Sequence, residues 1–180
     1  MKTTLTIFYL FISFLTFAQD KEMLEYVNLY RKTNKKTELK LSNSLTNISV
    51  EQNKKIIIDD SLSHSHKSSE IVVMGKNLPS TVETKMEFYI FVESMGIKYM
   101  EPKTDAEAIK YTKLYCLFLF DKSPNHKNIL LGDYTNVGLD IVIENVKYKS
   151  NEVVVNGQVV KFNKIKSHYT VDFYCVVNFN

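Results

Sequence analysis

Ser123-Pro124-Asn125-His126-Lys127-Asn128-Ile129-Leu130 is the stretch that decides the fold. Ser123 is suited to be a helix N-cap, its hydroxyl accepting a backbone N–H of the first turn. Pro124 fits the first helical position, where its missing N–H costs nothing. His126 then falls in the first turn, close to the positive end of the helix dipole. That field disfavours an imidazolium, so the ring is expected to stay neutral and to offer a lone pair at neutral pH. Phe120 lies three residues before Ser123, and a strand signal, VGLDIVI over 137–143, begins soon after Leu130.

An aromatic residue, SPxH, a basic residue, NIL and then a strand opening on xVGL together resemble the CAP superfamily. That family is also called SCP-like, after cysteine-rich secretory proteins, antigen 5 and pathogenesis-related 1. Its bacterial members often carry W-x-x-S-P-x-H-[RK]-x-x-[IL] before an IGxG-type strand. This chain has FDKSPNHKNILLGDYTNVGLD, with Phe120 in the usual Trp position. The resemblance spans nearly all of the chain after its leader. It is informative about fold and much less so about function, because one fold hosts unrelated activities.

Working outward, Met1 to Ala18 reads as a secretory signal. Lys2 supplies the positive n-region, Leu5 to Phe17 the apolar h-region, and Thr16 and Ala18 the small residues before cleavage. The apolar run is short for a bilayer span, which needs about 20 residues. The expected organisation is a signal peptide over 1–18 and one CAP/SCP-like domain over 20–180. The protein is then expected outside the cytoplasm, secreted or in the cell envelope, with no membrane span after cleavage. The formal net charge is +3 over 180 residues, and removing Lys2 lowers it by one. That is no electrostatic footprint for nucleic acid.

The rest divides into helices first and strands last, the pattern of an α+β domain. Residues 20–32 place Met23, Val27 and Tyr30 on one helical face. In YVNLYRKTN, Asn28 and Arg31 match the family's opening N-x-x-R, and Leu39 and Leu41 resemble the segment leading to its second helix. A second helix is expected over 42–59. A third, over 78–96, has Ser80 and Glu83 at capping-box spacing and Gly96 as its stop. Val82, Met86, Tyr89, Ile90 and Glu93 form its expected stripe. A fourth follows the Thr104/Glu107 capping box, with Ala108, Tyr111, Tyr115 and Phe118 in line. From Asn136 the period changes to two. Asn156-Gly157 between valine runs is a hairpin signal. The alternation Tyr169, Val171, Phe173, Cys175, Val177, Phe179 marks the longest strand. The resemblance implies an α–β–α sandwich with a central antiparallel sheet.

His64, His66 and Glu70 lie in SLSHSHKSSEIVVMG, read as a loop after the second helix. The family has a histidine followed shortly by G-E-N. His64 is the preferred match, with His66 as its alternative, and Glu70 matches the glutamate. Ser69 and Ile71 replace the neighbouring Gly and Asn. The resemblance therefore implies a cleft built from His64, Glu70 and His126, with His64 and His126 as metal ligands. Ser123, Pro124 and Phe120 support the motif. Two imidazoles and a carboxylate with an open water position suit a divalent cation such as zinc. The family's second glutamate has no clear counterpart; Asp121 is near but does not align. His168 opens the last strand and is read as a strand-edge residue. No G-x-S-x-G is present, and neither cysteine has the setting of a reactive thiolate. Cys116 and Cys175 sit in apolar stretches, where one disulfide and two buried thiols are both admissible.

These readings lead to a secreted CAP-domain binding or interaction module for a small apolar ligand, a peptide or a protein partner. A metal-dependent hydrolase of peptides or esters, with Glu70 as general base, is the alternative. A degenerate scaffold without metal is the third.

Overall fold

A computed structural model describes residues 21–65, 69–79, 81–149, 152–155, 158–161 and 168–180. The expected signal segment, His66 and Ser80 lie outside the described residues. Among those described, five helices and a four-stranded mixed sheet make an α+β fold. Helix α1 covers 21–33, α2 Asn43–Asp59, α3 Val82–Ser94, α4 Asp105–Lys122 and α5 Pro124–Leu130. The strands are β1 Lys40–Leu41, β2 Ser69–Lys76, β3 Asn136–Lys149, β4 Glu152–Val155, β5 Gln158–Lys161 and β6 His168–Phe179.

The main sheet has the order β1-β3-β6-β2. Strand β6 lies between β3 and β2 and runs antiparallel to both, with Cys175 opposite Ile141 on one side and Val73 on the other. The short β1 pairs with β3 in parallel, so the sheet is mixed where a purely antiparallel one is expected. The chain reaches that edge from α1 and leaves it straight into α2, which sets the direction of β1. Strands β4 and β5 form a separate hairpin, with Val155 opposite Gln158. The expected Asn156-Gly157 turn itself lies outside the described residues.

Side-chain alternation assigns the two faces of the sheet. Val137, Leu139, Ile141, Phe173, Cys175, Val177, Phe179 and Ile71 pack with Met23 and Val27 of α1, Phe88, Phe91 and Val92 of α3, and Leu114, Leu117 and Phe118 of α4. Both cysteines are buried free thiols in this core, acting as small hydrophobes. The opposite face meets α2: Ile56 packs on Val72 and Val176. Strand β6 is thus buried on both sides, which its alternation alone does not reveal.

Helix α2 approaches the sheet through polar residues. Ser49, Gln52 and Asn53 are buried with Leu45 and Ile56. Ser49 Oγ donates to Gly138 O at 3.1 Å and accepts from Asn178 Nδ2 at 2.9 Å. Asn53 Nδ2 donates to Asp140 Oδ2 at 2.8 Å. Burial raises the Asp140 carboxyl above the usual carboxylate range, and the Asn53 bond opposes the rise. Gly138 makes this approach possible, since a Cβ there would lie 2.0 Å from the Leu45 carbonyl carbon.

The helix ends correct and refine the reading. Thr104 and Glu107 form the expected reciprocal capping box at the start of α4. The N-cap of α3 is Thr81 rather than Ser80, accepting from Thr84 N, so the third residue of that helix is Thr84 and no Glu83 box forms. Gly96 takes φ +77° just past its end, the left-handed stop expected. The expected α3 stripe does not face the core. Met86, Tyr89 and Ile90 are exposed, while Phe88, Phe91, Val92 and Met95 are buried. Both faces of α3 are apolar, and the larger aromatic face wins burial against α4, where Phe88 and Phe91 each meet Phe118 edge-on.

Candidate functional site

The site is assembled from the end of α2, the start of β2 and the start of α5. Asp60 closes α2 in the left-handed conformation, φ 44° and ψ 40°, and its N–H returns to Ile56 O. The chain then turns back along the helix. Gln52 Nε2 holds that return by donating to Ser63 O at 2.5 Å and Ser63 Oγ at 3.0 Å. His64 and Ser65 follow beside α2. Glu70 is not in the expected loop; it is the second residue of β2, paired in register with Asn178 of β6.

Glu70 is buried, with a side chain 3% exposed, and is engaged through both oxygens. Oε1 accepts from Ser65 Oγ at 2.7 Å. Oε2 accepts from Ser65 N at 2.8 Å and lies 3.1 Å from His64 Nδ1. A carboxylate only accepts, so the proton in the His64 bond belongs to the ring. In neutral His64 the lone pair is therefore on Nε2. The His64 side chain is 46% exposed and borders an open depression of ≈ 460 Å³ along α2, with Asn47, Ile48, Glu51, Gln52 and Lys55 on its other walls.

His126 comes from the other side. Ser123 is the N-cap of α5 and Pro124 its first residue, as the motif requires. The Ser123 Oγ to His126 N contact is 3.5 Å, long for a hydrogen bond, so its worth lies at the low end of the roughly 0.5–2 kcal/mol range of such caps. Phe120 is fully buried and meets the imidazole edge-on, centroids 6.1 Å apart. Burial holds His126 below the ordinary histidine value, and the neighbouring His64 pushes the same way. Both causes favour the neutral ring. Helix α5, which carries His126, packs next to β2, the strand of Glu70.

Several further residues build the site. Ser65 supplies two of the three donors to Glu70. Asp121 binds Lys127 Nζ at 2.7 Å and accepts from the Tyr30 hydroxyl, so it ties α5 to α1 and does not serve as a second cleft carboxylate. Asn28 clamps Leu39, donating to its carbonyl at 3.0 Å and accepting from its N–H at 2.8 Å. Arg31 reaches the last turn of α5 (see Discussion). His168 begins β6, at the end of the sheet remote from Asn178 and Glu70.

Among the described residues no three His, Cys, Asp or Glu side chains are gathered as a metal site. Both oxygens of Glu70 already accept from His64 and Ser65. No helix of the described residues is long and apolar enough to cross a membrane. No protein-family model, curated protein or solved structure matches the chain.

Proposed function

We propose that this is an exported CAP-like binding module whose cleft presents the imidazoles of His64 and His126. The observation that carries the reading is the engagement of Glu70 by His64 Nδ1, Ser65 N and Ser65 Oγ. A buried carboxylate behind a histidine fixes its tautomer and raises its basicity, the arrangement found behind metal-ligating histidines. Glu70 then acts as a positioning residue. A divalent cation such as zinc would rest on His64 and His126, with its other positions left to water or to a donor atom of a ligand. Such a cation would supply a Lewis-acidic anchor. Two protein ligands make a weak site.

The same observation counts against the hydrolase alternative as drawn from sequence. A general base must reach the water it deprotonates. Glu70 is buried and both its oxygens already accept, so it is badly placed for that task. The CAP-like layering is supported by α2 on one face of the sheet and α1, α3 and α4 on the other.

Calorimetric titration of the purified protein with Zn²⁺ tests the reading. Binding is expected at pH 7, lost in His64→Ala and in His126→Ala, and weakened about 10–100-fold in Glu70→Gln. It should fade as pH drops into the histidine range, because protons compete for the same lone pairs. Wild-type affinity in His126→Ala would overturn the assignment. Loss in His66→Ala with retention in His64→Ala would move the ligand to His66. Turnover of peptide or ester libraries abolished by Glu70→Gln would restore the hydrolase.

Export is proposed on the Lys2, apolar-run and Ala18 pattern. N-terminal sequencing of protein recovered from the medium or envelope should begin at Gln19 or Asp20. A soluble product retaining Met1 would refute it.

A further inference from the structure

We propose that Asp140 is a proton-operated latch: as a neutral acid it clasps the Asn53 side chain through two hydrogen bonds and fastens α2 to the sheet more tightly than it does as a carboxylate. Asn53 is fully buried where α2 meets the sheet. Its amide nitrogen is well used, donating to Asp140 Oδ2 at 2.8 Å and, at 3.3 Å, to the carbonyls of Asp140 and Tyr174. Its amide oxygen is not. Among the described residues Asn53 Oδ1 is a buried acceptor without a donor. Such an atom is costly in a folded chain. The group beside it is the Asp140 carboxyl, which as a carboxylate only accepts and so gives Asn53 Oδ1 nothing. A proton on Asp140 changes this. A carboxylic acid and a primary amide are complementary, each giving one hydrogen and taking one. Oδ2 already accepts from Asn53 Nδ2, so the proton belongs on Oδ1, from which it is donated to Asn53 Oδ1.

The surroundings favour the proton. Asp140 is buried and enters no ion pair among the described residues. Gly138 and Val142 flank it on this face of β3, and Val176 of β6 lies opposite, between Asn178 and Tyr174. Tyr174 is titratable, but burial raises its hydroxyl further and it stays neutral. Strand β1 stops at Leu41, opposite Val137, before it reaches Asp140. From α2 the charge that acts on Asp140 is Lys54, itself paired with Glu51 at 2.9 Å. Burial raises the Asp140 carboxyl and outweighs the lowering by Asn53 and Lys54. The folded chain therefore holds this proton more tightly than the unfolded chain does. The stability it contributes is fully present below the ordinary carboxyl value of about 3.9 and is lost as pH rises through the raised one. Gln52, the residue before Asn53, holds Ser63 ahead of His64, so acid tightens the helix that anchors the site loop.

Urea unfolding of wild type and Asp140→Asn between pH 4 and pH 8 tests this. The substitution makes the neutral latch permanent, since an amide at this position donates to Asn53 Oδ1 and accepts from Asn53 Nδ2 at any pH. At pH 8 the variant is expected to have the higher urea midpoint. On descending in pH its advantage in the folded-to-unfolded ratio should shrink by up to tenfold per pH unit and nearly vanish by pH 4. The difference between the two proteins isolates Asp140 from every other titrating group. A second measurement needs no variant: the side-chain carboxyl ¹³C resonance of Asp140 in the wild type should titrate above about 3.9. A lower midpoint for Asp140→Asn at pH 8, a difference that does not change with pH, or a carboxyl that titrates at or below its ordinary value overturns the proposal.

Discussion

Gly138→Ala is expected to destabilise the fold by about 3 kcal/mol or more, the upper end of what overpacking costs. A Cβ on Gly138 would lie 2.0 Å from Leu45 C, 2.2 Å from Thr46 N and 2.4 Å from Leu45 O. All three are backbone atoms, so no rotamer change relieves the clash; α2 has to withdraw. Withdrawal breaks the Ser49 Oγ bond to Gly138 O and strains the Asn178 bond to Ser49. It also carries the Gln52 anchor of the His64 loop with it. The urea midpoint should fall with an unchanged slope. Gly96→Ala is the comparison. Its φ of +77° imposes about 1–2 kcal/mol of backbone strain, but its Cβ meets nothing within 4 Å. A smaller shift for Gly138→Ala than for Gly96→Ala would mean that α2 retreats freely.

Arg31→Met is expected to cost about 3 kcal/mol, because it takes the donor from the buried Leu130 carbonyl and one bond each from the carbonyls of Gly132, which keeps Tyr134 N, and of the exposed Thr37. The Arg31 side chain is fully buried. Its Nη1 donates to Leu130 O at 2.6 Å and Gly132 O at 3.0 Å, and Nε donates to Thr37 O at 2.9 Å. The guanidinium thereby caps the C-terminal end of α5, where the helix dipole favours a cation, and ties it to the loop after α1. Burial pulls the Arg31 pKa below its ordinary value, and Asp133 opposes that pull. Arg31→Lys should recover less than half of the loss, since one ammonium cannot reproduce a planar fork reaching three acceptors. Chemical denaturation measures both variants. The ring resonances of His126 give a second readout, because α5 carries that histidine. Wild-type stability in Arg31→Met would show that these carbonyls find water as easily as they find Arg31.

The residues around the site divide by the range of the interactions that place them. Ser123, Pro124, Thr104, Glu107 and Gly96 act within one helical turn, and their caps and stops follow from local chemistry. The alternation of β6 and the helical face of Met23, Val27 and Tyr30 are local periodicities of the same kind. These were enough for the α+β class and for the helix that starts at Pro124. Where the strands pair is not local. Strand β2 stays hidden in a stretch read for its histidines, since Glu70 interrupts no pattern until Asn178 lies opposite it. The parallel pairing of β1 follows from where α1 and α2 leave the chain, not from Lys40 and Leu41. The two apolar faces of α3 cannot be ranked from periodicity, because either satisfies the helical period; contact with Phe118 chose Phe88 and Phe91 over Met86 and Ile90. The role of Glu70 divides in the same way. The sequence by itself determined only that His64 and His66 precede Glu70 and that His126 follows Ser123-Pro124. Only the tertiary structure decided that the glutamate is buried behind His64, because burial and the three donors that satisfy it come from residues brought together by the packing of α2 on the sheet.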